Sequence, residues 1–128
     1  MEVMVIIKAS EESEAGVKPS EKMFAEMRKF NEELVNAGVM LQGAGLQPTS
    51  KAKRVKFTAG NRLVTDGPFA ETRELIAGFW LWNVKSMDEA VEWVKRIPFD
   101  GEEVKGDPEI EIREVFEGGD CRPKLNQS

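Results

Sequence analysis

Several residue types that carry chemistry are rare or missing in this chain of 128 residues. There is no histidine, so the usual proton-transfer group near neutral pH is missing. The single cysteine, Cys121, cannot form a disulfide within the chain, and no second thiol or histidine accompanies it to make a metal site. We therefore expect no internal disulfide, no bound metal and no role for Cys121.

Long apolar runs and a surplus of positive charge are also missing. The apolar run at residues 3–7 is too short to cross a bilayer, and no basic segment of signal-peptide type precedes it. The 18 basic and 23 acidic residues give a net charge of −5, without an electrostatic surface for nucleic acid or anionic lipid. No glycine-rich phosphate loop and no serine nucleophile motif is present. These features predict a cytoplasmic protein that has no cofactor. They also predict that the protein binds neither nucleic acid nor membranes.

The composition that remains is typical of one folded domain. Hydrophobic residues make up 41% of the chain and charged residues 32%, a balance found in soluble globular proteins. The length is sufficient for a single hydrophobic core. From residue 118 onward the sequence is polar and has no periodic pattern. We therefore predict a domain over residues 1–117 and a flexible tail over residues 118–128.

Hydrophobic periodicity predicts an opening strand and two helices. Residues 3–8 form a nearly continuous β-branched run, typical of a strand that is buried on both faces. Apolar residues recur at helical spacing from Met23 to Ala37, so a helix is predicted to begin after Ser20. A second helix is predicted after Ser86, which forms a capping-box pattern with Glu89.

Further strands complete the pattern. Residues 39–46, 76–84 and 109–116 are predicted strands, and alternation over residues 53–65 predicts a hairpin. The order of strands and helices indicates an α+β fold of ferredoxin type, with two helices on one face of an antiparallel sheet.

The second face of such a sheet has no cover within one chain. Trp80 and Trp82 are core residues by default, and the alternative is that one of them lies on this second face, where its large apolar surface would be exposed to water. Monomeric proteins rarely expose a large apolar patch, and a second copy is the simplest cover. The sequence therefore predicts a homodimer.

A turn dense in charged residues is the strongest candidate for a functional site. Residues 66–74 read Asp-Gly-Pro-Phe-Ala-Glu-Thr-Arg-Glu and lead directly into an apolar strand. Gly67 can adopt a positive φ and Pro68 fixes its own φ, so both suit a turn. The carboxylate of Asp66 is expected to accept hydrogen bonds from the amides that follow it. Catalysis by Asp66 is the alternative role.

Binding candidates follow in the same segment. Phe69 suits the core, with stacking on a ligand as the alternative. The charged residues Glu71, Arg73 and Glu74 could form a solvated surface or enter a cleft. Among these, Arg73 is the stronger binding candidate, because a guanidinium recognises anions and carbonyl groups.

Two charged residues of the last strand are also candidates. Glu111 and Arg113 alternate with two isoleucines, so the two pairs lie on opposite faces of the strand. If the isoleucines contact the helices, the charged residues face the interior of the dimer. Charges are rarely buried unpaired, so we expect an ion-pair network that reaches Asp66 or Arg73.

These motifs together resemble the DGPF branch of the YCII-related proteins. The Asp-Gly-Pro-Phe motif at residues 66–69 is followed by Ile-Ala-Gly-Phe at residues 76–79. A helix containing Glu89-Ala90, an Ile97-Pro98 stop and a final Glu-Ile-Arg strand at residues 111–113 continue the likeness. The motif and the order of elements make the resemblance fairly specific.

The resemblance runs from about residue 2 to residue 116 and implies a dimeric α+β barrel, in which two sheets face each other and enclose a cleft. It implies little about activity, since most members of this branch have no assigned reaction. Other YCII-related proteins resemble enzymes that carry a His and Asp pair for acid–base chemistry. That pair cannot exist in a chain without histidine.

Two functional hypotheses remain, and they leave open whether the chain is an enzyme. The first is a non-catalytic or regulatory homodimer that binds a small anionic or carbonyl-bearing molecule in its cleft. The second is a cofactor-independent isomerase or lyase acting on a small cyclic or aromatic acid. In it, Asp66 is the base and Arg73 or Arg113 stabilises an oxyanion.

Overall fold

The computed structural model describes residues 1–99, 101 and 104–116, and it describes the backbone but not the side chain of Arg73. Cys121 and the predicted tail at residues 118–128 lie outside the described residues. The strands, numbered β1 to β6 in chain order, are Glu2–Lys8, Met40–Gly45, Lys53–Thr58, Asn61–Asp66, Ile76–Asn83 and Ile110–Glu114. The helices α1, α2 and α3 are Glu11–Glu14, Glu21–Asn36 and Met87–Val94. None of the helices in this part of the chain combines the length and apolar character that spanning a bilayer requires.

The two longer helices begin at the serines that the sequence indicates. The Ser20 hydroxyl accepts a hydrogen bond of 3.1 Å from the Met23 amide at the start of α2. At the start of α3 the Ser86 hydroxyl accepts one of 3.1 Å from the Glu89 amide. The Glu89 carboxylate in turn accepts from the amide of Lys85, at 3.0 Å. These bonds satisfy amides that have no partner within the helix.

Four strands form an antiparallel sheet in the order β2-β5-β1-β6. With α2 and α3 in the two connections between sheet strands, this is the predicted α+β fold of ferredoxin type. The hairpin of β3 and β4 lies between β2 and β5 in the chain and forms a separate two-stranded sheet.

The core lies between the sheet and the two longer helices. Val3 pairs with Trp82 and Val5 with Trp80, and all four side chains are buried together with Phe30 of α2. Phe30 meets Trp80 edge to face at a centroid distance of 5.9 Å. The alternative that a tryptophan lies on the uncovered face is therefore wrong. The reason is that both indoles, which share one face of β5, pack against Phe30 of α2.

In the described part of the chain no helix covers the other face of the sheet, and we call it the open face. Met4 and Ile6 of β1 lie on it and are partly exposed, whereas Val3 and Val5 are buried. The expectation of a first strand buried on both faces is therefore wrong for the single chain, since the helices cover only one face.

Candidate functional site

The centre of the open face is apolar. Across two neighbouring strands Met4 pairs with Leu81 and Ile6 pairs with Phe79, and all four side chains are partly exposed. Side chains that alternate with the buried valines and tryptophans must point to the opposite face. The apolar surface that needs a cover is thus formed by these four residues and not by the tryptophans.

A charged group borders this apolar centre. Glu111 and Arg113 lie on the face opposite Ile110 and Ile112, and the isoleucines pack against the core, as predicted. One carboxylate oxygen of Glu111 lies 3.5 Å from the Lys8 ammonium, and the other lies 3.6 Å from the Arg113 guanidinium nitrogen Nε. The three residues together carry a net charge of +1 on the open face.

Lys8 is a member of this group that the sequence analysis does not single out. The signal is present, however, because Lys8 ends the alternating series that begins with Met4 and Ile6. The signal is weak because Lys8 follows a nearly continuous apolar run at the end of the strand. In addition, the pairing register of β1 with β5 shifts between Ile7 and Lys8.

Asp66 has a different partner from those expected. Its carboxylate lies 2.6 Å from the Lys53 ammonium, and its side chain is 73% exposed. The amide of Gly67 donates to the carbonyl of Ala52 at 2.9 Å, so the expected role of Asp66 as the acceptor for this amide is wrong. The cause is the hairpin register, which places Lys53 directly opposite Asp66. The expected link from Asp66 to the Glu111 ion pairs is not formed in the described part of the single chain.

Gly67 is required for close packing. Its φ lies outside the left-handed region, so this turn does not use the positive φ that glycine can adopt, and the bond from Gly67 to Pro68 is cis. A Cβ at Gly67 would overlap the backbone carbonyl of Thr49. The turn therefore lies directly against the backbone of the segment that precedes the hairpin, at a distance that only glycine permits.

Three residues far apart in the sequence hold this turn in place. The Thr49 hydroxyl accepts a hydrogen bond of 3.1 Å from the Phe69 amide and donates one of 2.5 Å to the Glu14 carboxylate. The amide of Thr49 also donates to Glu14, at 3.1 Å. Thr49 and Glu14 carry no signal of this role in the sequence, because no local pattern connects α1 with the turn.

The candidate binding residues of the turn have distinct environments. Phe69 is partly exposed, and the guanidinium carbon of Arg54 lies 3.7 Å from the centre of its ring, so a cation already occupies one ring face. Glu71 and Glu74 are exposed. The amide of Ala9 donates to the carbonyl of Leu75 at 3.0 Å, which places the end of this segment beside the end of β1, where Lys8 lies.

We predict that Gly67→Ala lowers the free energy of unfolding by about 2 kcal/mol, because the added methyl group forces the turn away from Thr49. Urea denaturation followed by circular dichroism measures the loss. Gly45→Ala is the matched control, since Gly45 has an ordinary φ and no atom lies within 4 Å of a Cβ there. Equal stability of the two variants would contradict the proposed packing.

Potential ligand sites elsewhere in the described part of the chain are limited. A shallow surface groove lies away from the open face, and its lining comprises Val94, Lys95, Ile97, Phe99, Pro108 and Ile110. Among residues 1–99, 101 and 104–116, no group of three or more histidine, cysteine or acidic side chains is arranged to hold a metal ion. The open face thus remains the candidate site that combines an apolar surface with a charged group.

Comparison with known proteins places the chain in a family. An uncharacterized protein of Rhizobium meliloti (strain 1021) is 36% identical over 75 residues, which cover 59% of this chain and 60% of that protein. A solved structure of 5-chloro-2-hydroxyhydroquinone dehydrochlorinase from Burkholderia phenoliruptrix AC1100, in complex with 2,5-dihydroxybenzoquinone, is 15% identical. The match covers 92% of this chain and 96% of the chain of that solved structure, with a TM-score of 0.48. The model of the YCII-related domain matches residues 1–117, so the chain belongs to the YCII-related family.

Proposed function

We propose that the chain forms a homodimer in which two open faces enclose a cleft, and that the cleft binds a small anionic or carbonyl-bearing molecule in a non-catalytic or regulatory role. The observation that carries this proposal is the apolar centre of the open face, bordered by the ion-paired group of Lys8, Glu111 and Arg113.

The apolar centre supports the dimer. Met4, Ile6, Phe79 and Leu81 are partly exposed in the single chain although they lie on the two central strands of the sheet. Covering them with a second copy removes apolar surface from water, which contributes about 25 cal/mol for each Å² buried. Face-to-face sheets lie about 10 Å apart, so a dimer of this kind is a dimeric α+β barrel with room for a small ligand where the side chains are short.

The charged group supports an anionic or carbonyl-bearing ligand. Glu111 neutralises only one of its two basic neighbours, so each copy contributes a net charge of +1 to the cleft. The guanidinium of Arg113 is exposed and retains donors beyond the nitrogen that faces Glu111. Arginine pairs with carboxylates through two parallel hydrogen bonds, which gives such a site its specificity.

The enzymatic alternative has weaker support. It requires Asp66 as a base inside the cleft, whereas the Asp66 side chain is mostly exposed and paired with Lys53 on the hairpin. This arrangement explains Asp66 as part of the hairpin's cross-strand pairing. We therefore prefer the non-catalytic role.

Two measurements test the proposal. Sedimentation equilibrium at micromolar concentration should give the dimer mass. Titration with benzoate, a simple aromatic carboxylate, should shift the backbone amide resonances of Lys8 and Arg113. In Arg113→Gln the affinity for benzoate should fall about tenfold, which corresponds to about 1.4 kcal/mol. Arg28→Gln, which removes an exposed arginine of α2, should leave the affinity unchanged. A monomer mass, or equal affinities in both variants, would contradict the proposal.

A further inference from the structure

The hairpin of β3 and β4, residues 53–66, stands apart from the main sheet, and we call it the arm. Large apolar side chains of the arm are 52% to 70% exposed: Val55, Phe57 and Val64 on one face of the hairpin, and Leu63 on the other. An isolated two-stranded hairpin is at best marginally stable in water, and exposed apolar patches of this kind mark interaction sites. The arm therefore has the character of a surface that is covered by a partner.

The arm also differs from the rest of the chain in charge. It contains four basic residues and one acidic residue, which give it a net charge of +3. Since the whole chain has a net charge of −5, the other 114 residues together have a net charge of −8. Asp66 is paired with Lys53, and Lys56 forms no ion pair with any described residue. An exposed surface with a local surplus of positive charge on an acidic protein favours an acidic partner.

A complementary surface lies on the last strand. Residues 107–114, which we call the acidic edge, contain four acidic residues and one basic residue, a net charge of −3. Asp107, Glu109 and Glu114 are exposed and form no ion pair with the described residues. The edge includes β6, which has β1 as its neighbour on one side and no strand of the main sheet on the other.

A two-fold axis parallel to the strands would bring these two surfaces together in the proposed dimer. The arm connects β2 with β5, at the side of the sheet opposite β6. When two such sheets face each other about a two-fold axis parallel to the strands, β2 of one copy lies across from β6 of its partner. The base of each arm then lies beside the acidic edge of the other copy.

We propose that the arm of each copy docks on the acidic edge of the second copy, an inference that rests on the homodimer proposed above. Each strand of the arm has six residues and spans about 20 Å, whereas packed sheets are about 10 Å apart. The arm is thus long enough to cross between the layers. Docking covers the apolar side chains on the arm face that meets the edge and places the arm's surplus positive charge against the surplus negative charge of the edge.

A charge exchange tests the docking. The arm variant carries Lys56→Glu and Arg62→Glu, and the edge variant carries Asp107→Lys and Glu109→Lys, at the end of the edge that is level with the base of the arm. In a homodimer of either variant, like charges meet at both contacts, whereas in the mixed dimer opposite charges meet at both. We expect each variant alone to dimerise at least tenfold more weakly than the wild type. Native mass spectrometry of an equimolar mixture should show the mixed dimer in excess over both homodimers.

The matched control is Arg28→Glu with Lys29→Glu, which makes the same change of charge on exposed positions of α2. This variant should dimerise as the wild type does. A 1:2:1 mixture of dimers with wild-type affinities would overturn the docking and leave the proposed homodimer intact. A wild type that is monomeric at micromolar concentration would overturn both. A third outcome would overturn the docking in favour of a polyanion partner. In that outcome the wild type binds a 20-base-pair DNA duplex or phosphatidylserine vesicles, and the arm variant alone loses this binding while its dimer affinity stays unchanged.

Discussion

Leu81→Glu is expected to weaken the dimer at least a hundredfold. Leu81 lies on a central strand and pairs with Met4 in the apolar centre of the open face. In the proposed dimer the glutamates of both copies are removed from water at the apolar centre, which costs about 3–5 kcal/mol. Since every tenfold change in affinity corresponds to about 1.4 kcal/mol, this cost is about two to three and a half powers of ten. Sedimentation equilibrium over a range of concentrations measures the change.

The same substitution leaves the single chain folded, because Leu81 is partly exposed there and its carboxylate replacement can reach water. Far-ultraviolet circular dichroism should therefore be unchanged. Val35→Glu is the control, since it introduces the same charge in place of an exposed apolar residue on α2. If Leu81→Glu kept the wild-type dimer affinity, the open face would not be the dimer interface.

The fold follows from local patterns that agree with one another. Helical spacing and serine caps define α2 and α3, and alternation over residues 110–114 places Glu111 and Arg113 opposite the isoleucines. Hairpin register could also have been read from the sequence. A two-residue loop at Ala59 and Gly60 pairs Lys53 with Asp66, which is the ion pair observed.

The orientation of β5 could not be derived in this way. Its two alternating sets are both apolar, with Trp80 and Trp82 on one face and Phe79 and Leu81 on the other. Periodicity shows that the sets lie on opposite faces, but not which set contacts the helices. That choice depends on how the indoles pack against Phe30. Phe30 is 50 residues from Trp80 in the sequence, so no local pattern connects them.

The packing of the turn was inaccessible for a similar reason. An Asp-Gly dipeptide usually indicates a turn that needs a positive φ. At Gly67 glycine is required for another reason, because the Thr49 carbonyl lies where a Cβ would be. The hydrogen bonds that join Glu14, Thr49 and Phe69 connect three separate segments. Tertiary contacts of this kind leave no periodic signal in the chain.

Trp82→Ala is expected to lower the free energy of unfolding by about 3–5 kcal/mol, because the largest fully buried side chain is replaced by a cavity. Trp82 is 0% exposed and lies beside Trp80, with ring centres 5.6 Å apart. For a domain with a total stability of about 5–15 kcal/mol, this loss is a large fraction. Urea denaturation monitored by far-ultraviolet circular dichroism measures it. A loss below about 1 kcal/mol would contradict the central place of Trp82 in the core.

Trp82→Phe separates cavity formation from hydrogen bonding. The indole N–H of Trp82 is buried and has no hydrogen-bond partner among the described residues, whereas that of Trp80 donates to Asn31 at 2.9 Å. Phenylalanine creates a smaller cavity and also removes a buried donor whose desolvation costs about 1–3 kcal/mol. We therefore expect Trp82→Phe to lie within about 1 kcal/mol of the wild type. Trp80→Phe should lose more stability than Trp82→Phe, since it leaves the Asn31 side-chain carbonyl without its donor. A larger loss of stability for Trp82→Phe would show that the indole N–H of Trp82 does have a partner.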